Sequence, residues 1–69
     1  MQPFTLYGLD QRQWPISVEL LLAEDLDHGP RDLARARLTR FEAVELWSGS
    51  KRLLHMTQQE YVRSRPGAG

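Results

Sequence analysis

Two N-terminal stretches of the chain have the alternation of apolar and polar residues that is typical of β-strands. Residues 3–9 are rich in aromatic and apolar side chains, and residues 16–23 place apolar side chains at every second position. The polar segment 10–13 between them predicts a turn, and thus a β-hairpin. An alternative stays open, because residues 15–26 also contain strong helix formers behind Pro15, which suits a helix N-terminus.

A helix is predicted over residues 30–41, after an acidic connection that ends in Gly29-Pro30. Ala34, Leu38 and Phe41 follow one another at the spacing of a single helical face. This stripe predicts that the helix covers one side of a sheet.

A second hairpin is predicted over residues 43–56, with Gly49-Ser50 as its two-residue turn. In that register Trp47 faces Arg52, Leu46 faces Leu53, and Val44 faces His55. One face of the hairpin then carries four mainly apolar residues: Val44, Leu46, Leu53 and His55. The other face carries Ala43, Glu45, Trp47, Arg52, Leu54 and Met56.

These elements predict an α+β fold of the order ββαββ. It is a small four-stranded, mostly antiparallel sheet of two hairpins, with one helix on one face. The alternative with residues 15–26 helical is βααββ. We expect residues 1–62 to form a single domain, with a last helical turn at 58–62, and residues 63–69 to be a disordered tail.

The second hairpin also contains Glu-Leu-Trp-Ser-Gly at residues 45–49, and the helix contains Ala34 and Ala36. In these features and in its order of elements the chain resembles a group of small bacterial proteins of unknown function. Lys51 stands where the hairpin of that group prefers Arg. The resemblance implies the ββαββ fold and implies no activity.

Size and charge point to association with a partner. The chain has 69 residues and no cysteine, so it lies near the lower limit for a self-sufficient core and cannot use disulfides. Its net charge is zero, but residues 1–34 carry an excess of acids and residues 35–69 an equal excess of bases. We expect the two halves to pair within one fold, although such asymmetry can also attract an anionic partner or a second copy.

The residues that could carry chemistry do not form a recognisable site. His28 lies in an acidic loop and His55 lies late in a strand, and both are expected to be structural. The acidic residues near 24–32 lack the spacing of a calcium loop and are expected to be a solvated loop that caps the helix. The serines have no neighbouring base. We therefore predict no enzymatic activity, no cofactor, no metal and no small-molecule substrate.

The prediction for function is a small non-enzymatic protein-interaction module that forms a homodimer or binds another protein through the Trp47 face of the sheet. Its expected contact residues are Trp47, Arg52, Leu54 and Met56. The alternative is a nucleic-acid-binding module that uses exposed aromatic residues and three arginines of the helix region, Arg31, Arg35 and Arg40. The chain shows no secretion signal and no apolar run long enough for a bilayer, which favours a cytoplasmic location without membrane contact.

Overall fold

A computed structural model describes residues 1–60 of the chain. Its elements follow the predicted order of two strands, one helix and two strands. They are β1 (Gln2–Leu9), β2 (Pro15–Ala23), α1 (Pro30–Arg37), β3 (Ala43–Ser48) and β4 (Lys51–Thr57). Residues 58–60 are helical, whereas positions 61–62 of the predicted last turn and the predicted tail 63–69 lie outside the described residues.

The four strands form one antiparallel sheet in the order β2-β1-β3-β4. The ββαββ prediction is confirmed, and the segment that could have been helical forms β2. Strand β1 lies inside the sheet, where Leu6 faces Glu19 of β2 on one side and Leu46 of β3 on the other. The two hairpins therefore join through β1 and β3.

The turn between β1 and β2 is organised by Asp10. Its carboxylate accepts hydrogen bonds from the backbone N–H groups of Arg12 at 2.8 Å and Trp14 at 3.0 Å. Gln13 adopts the left-handed region with φ of 67°. The turn is followed by an irregularity in which Ile16 is the extra residue of β2.

Helix α1 is four residues shorter at its C-terminus than predicted. Beyond Arg37 the backbone N–H groups of Leu38 and Thr39 bond three residues back, so the helix tightens into turns. The Gln58 side chain then donates to the carbonyls of Leu38 and Phe41, at 2.8 and 3.0 Å. These bonds satisfy acceptors that a continued helix would have used.

The start of α1 also differs from the expectation that acidic side chains cap it. The N-cap is Gly29 with φ of 121°, and no side-chain hydrogen bond caps the helix. Pro30 occupies the first turn as predicted. The acids of the loop bond elsewhere, because Asp25 holds the loop backbone and Asp27 pairs with Arg31.

The core lies between α1 and one face of the sheet. The predicted stripe is confirmed, since Ala34 and Leu38 are buried and Phe41 packs against the same cluster. The sheet contributes five buried residues to this cluster, namely Phe4, Leu6, Ala23, Val44 and Leu46. The helix packs against β1 and β3, the two inner strands.

The second hairpin has the predicted turn but not the predicted register. Ser48 faces Lys51 and Trp47 faces Arg52, as expected. A β-bulge then inserts Leu53, so that Leu46 faces Leu54 rather than Leu53. Past this point Val44 faces Met56 and Glu45 faces His55. The extra residue places each following side chain of β4 on the opposite face of the sheet from the predicted one.

The second face of the sheet carries no element of residues 1–60, and we call it the open face. Residues that oppose one another in a sheet share a face. The open face is therefore defined by residues of all four strands: Thr5, Tyr7, Val18, Leu20, Leu22, Glu45, Trp47, Arg52 and His55.

We expect Gly8→Ala to destabilise the fold by about 1–3 kcal/mol, because overpacking forces a rigid neighbour to move. A Cβ atom at Gly8 would lie 2.6 Å from the Phe41 ring. Urea unfolding monitored by circular dichroism measures the loss. The double variant Gly8→Ala/Phe41→Leu, which replaces the ring by a smaller side chain, should lose less than the two single losses added together. Simple additivity would contradict the contact.

Candidate interaction surface

Strand β2 is amphipathic in the unexpected direction, with its apolar side chains facing solvent. Four aliphatic residues at alternate positions are 60–80% exposed. We call them the β2 row: Ile16, Val18, Leu20 and Leu22. The residues between them, including the polar Ser17 and Glu19, are half-buried. A surface row of four large aliphatic side chains is the type of feature that marks a binding surface in a small protein.

Glu19 is drawn to the helix side of β2 by a salt bridge. Arg37 of α1 donates to both carboxylate oxygens, at 2.6 and 2.9 Å. This bond from Arg37 lowers the pKa of Glu19, against the opposing effect of burial. Because opposite faces alternate along a strand, fixing Glu19 beneath the sheet also fixes Val18 and Leu20 on the open face.

The centre of the open face is an aromatic pair. The rings of Tyr7 and Trp47 meet edge to face, with centroids 6.4 Å apart and an angle of 88° between planes. The indole Nε1 donates to Glu45 at 3.1 Å, and Arg52 donates to the other oxygen of Glu45 at 3.2 Å. An open cavity of about 410 Å³ lies here, bounded also by Pro15. It continues the apolar surface from β2 towards the sheet centre.

The predicted contact residues do not all lie on this face. Trp47 and Arg52 do, but Leu54 and Met56 lie on the helix side and pack against the core. The prediction that these four residues share a face was wrong. The bulge at Leu53 shifts the register between Arg52 and Leu54, so that Leu54 and Met56 face the helix.

The arginines proposed for nucleic-acid binding lie in and after the helix, on the opposite side of the sheet from Trp47. Arg31 bonds Asp27 at 2.7 Å, and Arg35 bonds Asp32 at 3.4 Å. The guanidinium of Arg40 lies 6.0 Å from the centroid of the Phe41 ring. The structure therefore does not bring these cations together with the exposed aromatic residues.

The two histidines lie in separate places. The ring Nδ1 of His28 lies 2.6 Å from the Asp25 carboxylate in the exposed loop before α1. This hydrogen bond raises the pKa of His28 and lowers the pKa of Asp25. His55 is half-buried on the open face, with Nε2 3.1 Å from the Gln13 side-chain oxygen. Each imidazole thus has a structural partner.

Within residues 1–60, no group of three or more His, Cys, Asp or Glu side chains is placed to hold a metal ion. Over the same range, no helix has the length and apolar character that a bilayer crossing requires.

The sequence predicted β2 but did not identify its row as a surface. The signal was present, because alternating apolar residues on a strand must all lie on one face. Which face they occupy depends on the pairing register of β2 with β1. The turn at Asp10 and the extra residue Ile16 set that register. Neither feature has a sequence pattern specific enough to reveal it.

Comparison with protein families, with curated proteins and with solved structures gives no significant match for this chain. The resemblance to small bacterial proteins with a Glu-Leu-Trp-x-Gly hairpin therefore stays a prediction.

We expect the Glu19–Arg37 bond to stabilise the fold modestly at neutral pH, since both side chains are partly exposed. The folded-state pKa of Glu19 is lowered below 4.5. The stabilisation is therefore present above pH 4.5 and is lost as the pH falls through the lowered pKa. Urea unfolding of wild type and Glu19→Gln from pH 7 to pH 2 should show the difference disappearing in acid. In an Arg37→Met background the same substitution should have no such pH dependence.

We expect the imidazole of His28 to titrate above its ordinary pKa of 6.5. The stabilisation from its bond to Asp25 is present below pH 6.5 and is lost as the pH rises through the raised pKa. A nuclear magnetic resonance titration of the ring protons measures this value, and Asp25→Asn should return it towards 6.5. An unchanged pKa in Asp25→Asn would show that the carboxylate is not the cause.

Proposed function

We propose that this protein is a non-enzymatic interaction module that self-associates through the open face, with the β2 row as its main contact. The observation that carries the proposal is the inverted exposure of β2. Val18 is 60% exposed and Leu20 80% exposed, while Glu19 between them is half-buried. A row of this kind gains most when a partner removes it from water.

The exposed apolar area is close to what a stable interface needs. A fully exposed aliphatic side chain offers roughly 100 Å² of apolar surface on the usual transfer scale. The β2 row and Trp14, which precedes Pro15 in the chain and is 65% exposed, then offer about 400 Å². An interface of standard size buries about 800 Å² per partner, of which rather more than half is apolar. The surface of Tyr7 and Trp47 adds to this area.

A second copy of the chain is the partner that these properties favour. The net charge of zero leaves no overall repulsion between copies. The β2 row itself is uncharged and aliphatic, so two copies of it are mutually compatible. Symmetric dimers of this kind are the commonest oligomers. Trp47 lies on the same open face, two strands in from β2, so the proposed contact centres on the β2 row rather than on the Trp47 hairpin.

The nucleic-acid alternative gains no support from the geometry, because Arg31 and Arg35 already bond carboxylates of their own segment. A surface for nucleic acid also requires cations beside the stacking residues, and here the sheet separates these arginines from Trp47.

We expect wild type to show a concentration-dependent monomer–dimer equilibrium in sedimentation velocity. Leu20→Glu should raise the dimer dissociation constant at least about tenfold, since a desolvated charge replaces an apolar contact. Because Leu20 is 80% exposed, its replacement should leave the monomer folded, which circular dichroism checks. Self-association should depend little on salt between 50 and 500 mM, as is typical of apolar contacts.

A matched control is Gln59→Glu, which adds the same charge at an exposed position beyond β4. It should leave the equilibrium unchanged. The proposal is wrong if wild type stays monomeric up to millimolar concentration. Steep weakening of binding to single-stranded nucleic acid on adding salt, lost in Arg35→Ala, would instead support the alternative.

A further inference from the structure

The two edges of the sheet differ in how they are protected against pairing with another strand. Strand β4 has Lys51 and Arg52 at its start and a bulge at Leu53, which are ordinary means of blocking an edge. Strand β2 has Pro15 and the extra residue Ile16 at its start, but over residues 17–23 it has no proline, no lysine and no bulge. Its backbone groups on the side away from β1 have no strand beside them in residues 1–60. This edge is therefore available for β-strand addition.

We propose that β2 pairs antiparallel with β2 of a second copy, in a register centred on Glu19. This inference rests on the proposed self-association and specifies its geometry. In this register residues 17–21 of the two copies pair, clear of Pro15 and of the extra residue Ile16. A register centred on Leu20 also keeps the two open faces on the same side, but it moves Ile16 beyond the end of the β2 row of the second copy.

The register makes the β2 row complementary to itself. Val18 lies opposite Leu20 of the second copy, and Ile16 lies opposite Leu22 of the second copy. Each aliphatic side chain thus gains a directly opposed aliphatic neighbour, and diagonal neighbours beside it. No polar residue enters the row, because the intervening residues of both copies lie on the helix side.

The only charge within β2 is balanced at the dyad. Glu19 of each copy faces Glu19 of the other, an arrangement that alone would be repulsive. Each of these carboxylates accepts two hydrogen bonds from Arg37 of its own helix. The two carboxylates at the axis are then flanked by two guanidinium groups, and the four groups carry no net charge. Since both helices lie on one side of the joined sheet, these four groups share a single surface.

A scan of single cysteines from Ser17 to Leu21 tests the pairing, because the natural chain contains no cysteine. Directly opposed Cα atoms in an antiparallel pair lie about 4.5–5.5 Å apart, within the range of a disulfide. Glu19→Cys is expected to give at least about fivefold more covalent dimer on mild oxidation than any other position. At Val18 and Leu20 the two copies of the residue are diagonal neighbours, about 8 Å apart, and at Ser17 and Leu21 they are about 14 Å apart.

Sedimentation of the reduced variants separates the two proposals. If the reduced proteins dimerise but cross-linking is uniform or absent, or peaks away from position 19, the β2 pairing is wrong and self-association stands. If wild type and the reduced variants are monomeric, the proposed function itself fails. Circular dichroism of Glu19→Cys confirms that losing the bond to Arg37 has not unfolded the chain. Should it unfold, the pair Val18→Cys/Leu20→Cys probes the same register, because each cysteine then faces the other residue of the second copy.

Discussion

A four-stranded sheet has two faces, and the described chain supplies one helix of eight residues to cover them. The helix lies over the inner strands β1 and β3, where the most completely buried side chains meet. The outer strand β2 has its helix side half-buried and its open-face side uncovered. Its arrangement follows from this shortage, because a chain of this size cannot enclose every apolar residue that its strands carry.

The salt bridge between Glu19 and Arg37 reinforces the facing of β2 that the turn at Asp10 and the extra residue Ile16 set. It connects the outer strand to the end of the helix, and it lies among half-buried side chains where its geometry is bidentate. This facing leaves the β2 row in contact with water. Exposure of this kind is unfavourable unless a binding partner covers the row. The same bond also neutralises the one charge of β2. Local stability and association are thereby linked through a single pair of side chains.

The order of elements could be predicted because it depends on local patterns, namely the alternation of strands, Gly29-Pro30 before the helix and Gly49-Ser50 in the turn. The facing of the side chains could not, because a one-residue change in register reverses a strand. Leu53 reversed the expected positions of Leu54 and Met56 in this way. The choice of Trp47 as an open-face residue survived because it lies between the turn and the bulge. The β2 row was missed since its facing depends on an irregular turn.

The position of β1 inside the sheet has a consequence for how the molecule is made. During synthesis the β1–β2 hairpin emerges from the ribosome first, well before β3 can occupy the other side of β1. In that interval the hairpin has two free edges, and an incoming strand could join either one. Phe41 and Leu46 direct the choice, because the first fits against Gly8 and the second against Leu6 of β1. Correct folding of the nascent chain therefore requires β3 to pair with the free edge of β1 rather than with that of β2, because β1 carries most of the core residues of the hairpin.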